Sequence, residues 1–282
     1  SLMASEGSVP GGTCKLATAL ATAPACNSLA RTMTASPPPS LRLRSARLAF
    51  GGRALFDGLD LDLEAGRTTC LLGPSGVGKS SLLRLIAGLD EAAEGKVADS
   101  DGLPLQGRFS YMAQQDLLLP WASARENVLL GARLRGDLSP EDRRRADALL
   151  DKVGLSEAAD LRPAALSGGM RQRVALARTL FEDRPLVLMD EPFSALDAIT
   201  RFQLQALAAG LLAERSVLLV THDPLEALRL GHRILVLSGR PARLTVAEAL
   251  PGAPPHAPDD PRLMQLQADL LTRLAEAKDL SA

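Results

Sequence analysis

One stretch, GPSGVGKS at residues 73–80, constrains the fold of this chain more than any other. It matches G-x-x-x-x-G-K-[ST] in full, a short apolar run (TTCLL, 68–72) leads into it, and Leu82, Leu85, Ile86 and Leu89 follow at helical spacing. A strand broken at glycine and answered by a helix leaves the first N–H groups of that helix unpaired, where an anion is favoured. The N–H groups from Gly76 to Ser80 are therefore expected to surround a β-phosphate. Lys79 would reach the β- and γ-phosphates, and the Ser80 hydroxyl would ligate Mg²⁺.

Such a loop needs a buried strand behind it, and the rest of the chain supplies more of the same kind. LVLMDE (186–191) and SVLLVTH (216–222) are nearly continuous apolar runs that end in polar residues, as parallel strands covered on both faces do, and RILVLSG (233–239) reads as the next one. LDLDLEAG (59–66) instead alternates, with Leu59, Leu61 and Leu63 on one face and acids on the other. With LRLR (41–44) running toward Phe50 and a Gly51–Gly52 turn, it predicts an antiparallel sheet near the amino terminus.

Between Gln114 and Ala165 the pattern becomes helical with charged faces, and Ser139, Pro140, Glu141 and Asp142 form a strong helix start. The fold class is α/β: a P-loop NTPase core with a mainly parallel sheet, an N-terminal antiparallel β subdomain and a helical subdomain insertion at about 115–165. This catalytic domain is expected to run over 41–250. A loop at 251–261 then leads to an amphipathic helix bearing Leu263, Leu266, Leu270 and Leu274.

Residues 1–40 are rich in Ala, Thr, Ser, Pro and Gly and carry almost no apolar periodicity. They read as a disordered extension or mis-start segment, with Ser1-Leu2 a scar ahead of Met3 and Met33 a candidate true start; a targeting segment is the alternative. Roughly 240 residues remain, enough for one large domain or a core with a subdomain. A formal net charge of −1 gives no support to bulk attraction for nucleic acid. Three cysteines make no disulfide framework, so a reducing compartment is expected, with Cys70 a buried thiol. No apolar run approaches the roughly 18 residues that cross a bilayer, although docking onto a membrane protein stays open.

Strand ends carry the candidate chemistry. Asp190 closes an apolar strand and suits Mg²⁺, and Glu191 beside it is placed to orient and polarise an attacking water, the task hydrolysis adds to nucleotide binding. His222 ends another strand and can hydrogen-bond a γ-phosphate oxygen. All three follow parallel strands and so should gather with the 73–80 loop at one sheet edge. Gln114 lies where core meets insertion; it reads either as a ligand of Mg²⁺ or its water, or as a solvated turn. Phe50 reads either as a ring stacked on adenine or as core. Leu117, Leu118, Leu119, Pro120 and Trp121 read either as subdomain core or as a docking surface.

ALSGGMRQRVALARTL (164–179) poses a separate question. Ser167, Gly168 and Gly169 can offer a hydroxyl and close backbone N–H groups to a phosphate, yet the chain already has a phosphate cradle. A second one makes sense if it faces a γ-phosphate held by another copy.

Taken in order, GPSGVGKS, Gln114, LSGGM, LVLMDE, SALD (194–197) and His222 resemble the nucleotide-binding subunit of ATP-binding-cassette (ABC) transporters. The resemblance spans about residues 41 to 240. It implies a Walker A loop, with Gly73, Pro74, Ser75, Gly76, Val77, Gly78, Lys79, Ser80 and Ser81 as nucleotide contacts. It also implies Gln114 as the Q-loop glutamine, Leu166 to Met170 as the signature, Asp190 as the Walker B aspartate and Glu191 as the catalytic base. Ser194 to Asp197 would be the D-loop, His222 the switch histidine and Phe50 the A-loop aromatic.

From the family follow ATP and Mg²⁺ as cofactors and a head-to-tail ATP sandwich with a second copy, in which the signature of one subunit completes the site of the other. Separate transmembrane permease subunits, a periplasmic or lipid-anchored solute-binding protein and a peripheral seat on the cytoplasmic side of a bacterial membrane follow too. Met170 departs from the family's usual Gln, removing an amide from the signature. The LLPW after Gln114 and the short insertion resemble importers of nitrate, sulfonate or taurine, with thiamine-precursor importers similar. The non-transport alternative, an ABC ATPase acting on DNA or ribosomes, would favour coiled coils or a basic groove, and neither is visible.

Overall fold

The computed structural model describes residues 38–90, 94–99, 102, 105, 107–136 and 138–280. Both readings of 1–40, together with Cys14, Cys26 and Met33, lie almost wholly outside the described residues.

Two sheets and eight helices organise the described part. β1 (Leu41–Phe50), β2 (Arg53–Leu63) and β4 (Glu94–Asp99) form an antiparallel sheet in the order β2-β1-β4. The second sheet has the order β5-β6-β7-β3-β8-β9, from β3 (Thr68–Leu72), β5 (Phe109–Met112), β6 (Leu186–Asp190), β7 (Ser216–Val220), β8 (Arg233–Ser238) and β9 (Arg243–Ala249). Its first five strands run parallel, and β9 closes the edge antiparallel to β8.

The parallel strands are apolar at nearly every position because each face has its own core. Cys70 and Leu72, Val187 and Met189, Val217 and Leu219, and Ile234 and Val236 point to one side. There they meet α5 (Gly168–Phe181), α6 (Ala198–Leu212), α7 (Pro224–Leu230) and α8 (Pro261–Asp279). Leu71, Leu186, Leu188, Leu218, Val220, Leu235 and Leu237 point the other way, onto the antiparallel sheet and α1 (Lys79–Ile86). Each fully buried leucine contributes about 1.5–3 kcal/mol, so β3 is held from both sides and the loop leaving it starts from a fixed point.

Between β5 and α5 lie α2 (Ala124–Val128), α3 (Leu130–Arg135), α4 (Pro140–Lys152) and two short 3₁₀ turns. Capping boxes at Ser123/Glu126 and Ser139/Asp142 start α2 and α4, the second at the position the sequence marks. Leu263 and Leu270 of α8 are buried, and Leu266 and Leu274 pack against the same core. Leu89 departs from expectation: α1 stops at Ile86, Gly88 turns the chain with φ 65°, and Leu89 is left exposed, off the apolar face. Among the described residues no helix is long and apolar enough to cross a membrane.

Candidate functional site

The parallel order puts the carboxyl ends of β3, β5, β6 and β7 on one edge, so Gly73, Gln114, Asp190 and His222 all leave the sheet there. The loop from Gly73 to Gly78 is pinned in the middle by Val77, whose side chain is buried in the core under the antiparallel sheet. Two of its glycines, Gly73 and Gly78, are required by space, while Gly76 meets nothing within 4 Å and is set apart only by its φ of 78°. A Cβ on Gly73 would stand 2.5 Å from the Leu237 carbonyl oxygen, and Gly78, the cap of α1, has φ 106° with the Leu55 and Phe56 side chains about 3 Å from where a Cβ would be.

Lys79 is buried, and its Nζ donates to the carbonyls of Gly73 (2.7 Å) and Pro74 (2.9 Å). Burial lowers the pKa of this ammonium, and the charges of Glu191 and Asp190 oppose that shift. Asp190 shows the mirror image. Burial raises its carboxyl, a hydrogen bond from Ser80 and the charge of Lys79 lower it, and Glu191 adds to the rise. Its Oδ1 is buried with no hydrogen-bond partner among the described residues. An orphaned carboxylate oxygen beside a serine hydroxyl is the hard oxygen pair that Mg²⁺ takes, so these residues fit the ion.

Glu191 has a backbone φ of 49°, a left-handed conformation that costs a non-glycine residue on the order of 1–3 kcal/mol. The twist turns its carboxylate toward His222, whose Nδ1 lies 2.9 Å from Glu191 Oε2. The sequence leads one to expect His222 on a phosphate; in this arrangement one ring nitrogen meets Glu191, and Nε2 is the one left for that task. Gln114 sits in a bend just past β5, exposed and without a hydrogen bond inside the chain among the described residues.

Ser167 caps α5, its hydroxyl accepting from Met170 N at 3.2 Å. Ser167 and Gly168 are nevertheless exposed, so the cap faces outward, while Met170 lies half-buried against the helical core. Asp197 caps α6 in the same way. Phe50, at the end of β1, is 55% exposed, which removes the core reading of that ring. Leu117 and Trp121 are exposed at 60% and 68% and stand on the surface, while Leu118 packs inward.

A profile of the ABC transporter family matches residues 56–194. An uncharacterized ABC transporter ATP-binding protein of Haemophilus influenzae is 46% identical over 237 residues, 83% of this chain and 98% of its own length. The chain belongs to the ABC transporter ATP-binding family. An aliphatic sulfonates import ATP-binding protein (SsuB 1) of Pseudomonas syringae pv. syringae is 42% identical over 86% of this chain and 98% of its own. The dimeric post-hydrolysis structure of the ATP-binding cassette MJ0796 bound to ADP and Pi overlays with a TM-score of 0.67 at 32% identity, covering 75% of this chain and 99% of that one. As an ABC ATPase the chain binds ATP and Mg²⁺ and hydrolyses ATP.

Several residues of this ABC ATPase escape a reading of the sequence. Asn127 is fully buried and ties the loop carrying Trp121, accepting from Leu119 N and donating to the carbonyls of Leu119, Ala122 and Ser123. Arg171 bonds Asp116 at 2.9 Å, and Arg178 donates to the carbonyls of Asp116 and Leu117, so α5 grips the segment just after Gln114. The usable signal was an asparagine inside a helix, where it is a poor former unless its amide is occupied. Gln172, two residues past Met170, is buried as well.

Glu191, His222 and Asp223 line a small pocket together with Glu226, which is buried. Burial, reinforced by the charge of Asp223, pushes the Glu226 carboxyl up to about 8 from an ordinary 4.5. Between those values the folded chain keeps a proton that the unfolded chain has released. Stability from this group is therefore whole below pH 4.5 and is lost as pH rises through 8, at up to about 1.4 kcal/mol per pH unit. Glu226→Gln is expected to flatten that dependence: chemical denaturation should find the variant more stable than the parent at pH 8 and no more stable at pH 4.5. Equal slopes for both proteins would refute it.

Proposed function

We propose that this chain is the ATP-hydrolysing subunit of an importer for a small sulfonated solute or a related oxyanion. It works as a head-to-tail pair on a separate transmembrane permease, at the cytoplasmic face where ATP is supplied. The observation that carries the hydrolytic part is the junction of Glu191 and His222 at 2.9 Å, on the sheet edge that also bears the buried Lys79 ammonium.

In this reading the N–H groups of residues 76–80 and Lys79 hold the β- and γ-phosphates, with Ser75 and Ser81 at the rim and Phe50 against the base. Asp190 and Ser80, with Gln114, would hold Mg²⁺, which offsets phosphate charge when bound. Glu191 takes a proton from the water that attacks the γ-phosphorus as the bond to ADP breaks, and its left-handed backbone keeps the carboxylate aimed there. His222 steadies that carboxylate through Nδ1 and offers Nε2 to a γ-phosphate oxygen.

The exposed Ser167–Gly168 start of α5 is the half of the clamp given to a partner copy, a reading supported by the dimeric state of the MJ0796 cassette. Trp121 and Leu117, stiffened by Asn127 and Arg178, form the surface for the permease. The relatives named for aliphatic sulfonates import support the cargo class. A solute-binding protein delivers the cargo to the outer mouth of the permease.

Reconstitution with the cognate permease and binding protein tests this, with ATP hydrolysis scored against alkanesulfonates, taurine, nitrate and thiamine precursors. Stimulation by sulfonates is expected. Stimulation by thiamine precursors alone would reassign the cargo, and no coupling to any permease would reject the importer.

A further inference from the structure

Gln172 lies on the first turns of α5, five residues past Ser167, and is 4% exposed. Its carboxamide reaches the loop that follows β6. Nε2 donates to the carbonyl oxygens of Glu191 (3.3 Å) and Pro192 (3.1 Å). The same Glu191 carbonyl also accepts from Ser194 Oγ at 3.1 Å, and Glu191 N donates to Val220 O at 2.9 Å. These bonds hold the left-handed φ of 49° at Glu191. A peptide released from them would relax toward an ordinary conformation and swing the Cα–Cβ bond, carrying the carboxylate away from His222.

The helix that carries Gln172 begins at the Ser167–Gly168–Gly169 turn, which is exposed at Ser167 and Gly168. Gly169 is close enough to the 194–197 segment that a Cβ there would lie 3.3 Å from Ala195 O. A helix is stiff over one and a half turns, so displacement of its start reaches Gln172 nearly undiminished. Nothing flexible intervenes.

We propose that Gln172 is a positioning residue that couples the two composite ATP sites of the dimer. Its carboxamide fixes the Glu191 backbone according to where α5 sits, and α5 is seated by the nucleotide bound to the other copy. This rests on the proposed roles of Glu191 and of the Ser-Gly-Gly turn. Engagement of the partner's γ-phosphate by Ser167 thus sets the base that serves the chain's own ATP, so each site reports its occupancy to the other through one side chain.

The test uses the full chain with MgATP and two variants. Gln172→Met keeps length and volume but removes the donor; Gln172→Glu keeps the shape and turns an acceptor toward two carbonyl oxygens. For both, kcat is expected to fall about ten- to a hundredfold, as misplacing a reacting group by about 1 Å does, with KM and nucleotide affinity within about twofold. The Hill coefficient for ATP should drop toward one, a change that mere loosening of packing would not produce.

A folded variant that keeps parental kcat and cooperativity, or one that loses only melting temperature, overturns the proposal. If neither variant folds, a structure of the MgATP-loaded Glu191→Gln protein decides: the Gln172 amide on the residue 191 carbonyl supports the coupling, and an amide that has left both carbonyls sinks it. Glu191→Gln assayed alongside separates the two failures. If it keeps turning over, the role of the base is wrong; if it is dead while the Gln172 variants work normally, only the coupling is wrong.

Discussion

Glu191→Gln is expected to lower ATP turnover by about a hundred- to ten-thousandfold, the range a positioned general base contributes, while ATP affinity holds or tightens slightly. The amide keeps the size of the carboxylate and a polar atom for His222 Nδ1, so the loop and its left-handed backbone have no reason to move. What changes is charge. Glu191 is the larger of the two carboxylate influences on Lys79 and also raises the Asp190 carboxyl, so neutralising it lessens the repulsion a triphosphate meets. Bound ATP then outlives many encounters between copies, and light scattering with MgATP should report a stable dimer. Turnover equal to that of the parent would remove Glu191 from the chemistry, and a dead enzyme that stays monomeric with ATP would remove the sandwich.

Lys79→Ala is expected to act on binding instead. It deletes a charge-assisted donor worth about 1.5–3 kcal/mol, hence a loss of ATP affinity of roughly ten- to a hundred-and-fifty-fold. Inside the chain the carbonyls of Gly73 and Pro74 lose the ammonium, and Asp190 loses its nearby positive charge. The partner arrangement is read by mixing this variant with Ser167→Ala. A mixed dimer has one site with both groups intact and one with neither, so single-turnover hydrolysis should return to about a quarter of the parental amplitude in an equal mixture, at a rate about ten- to a hundredfold below the parent because the base of the intact site lies on the protomer whose own Ser167 is gone. Complete failure to recover, with each variant shown to exchange partners, would contradict completion of the site across the dimer.

The parts of the site legible in the sequence are those whose chemistry and periodicity agree. β3, β6, β7 and β8 are apolar at consecutive positions because both faces are covered, and the glycine or polar residue ending each run marks the sheet edge. The phosphate loop is readable because its glycines answer to space at Gly73 and Gly78. β5 and β9 were harder. β5 has four residues with alternating burial, and β9 is an exposed edge, so neither carries a run long enough to recognise. Leu89 keeps the helical period of α1 in the sequence but leaves its apolar face in the fold, because the chain turns at Gly88. Gln172 was invisible for another reason: a glutamine between two arginines reads as solvent-facing, and only the fold shows that its amide meets a neighbouring loop. Long-range polar contacts of this kind leave no periodic trace.

The cap on α5 has one more consequence. Because the Ser167 oxygen already accepts from Met170 N, its rotor is set and its own hydrogen is what remains to offer outward. The entropy of freezing that side chain, about 0.5–1.5 kcal/mol when a loose residue is immobilised at a contact, is thus spent during folding and not on assembly. In the proposed sandwich an arriving terminal phosphate would meet a hydroxyl already held in place, which would favour quick engagement and equally quick release once the charge it recognises has departed.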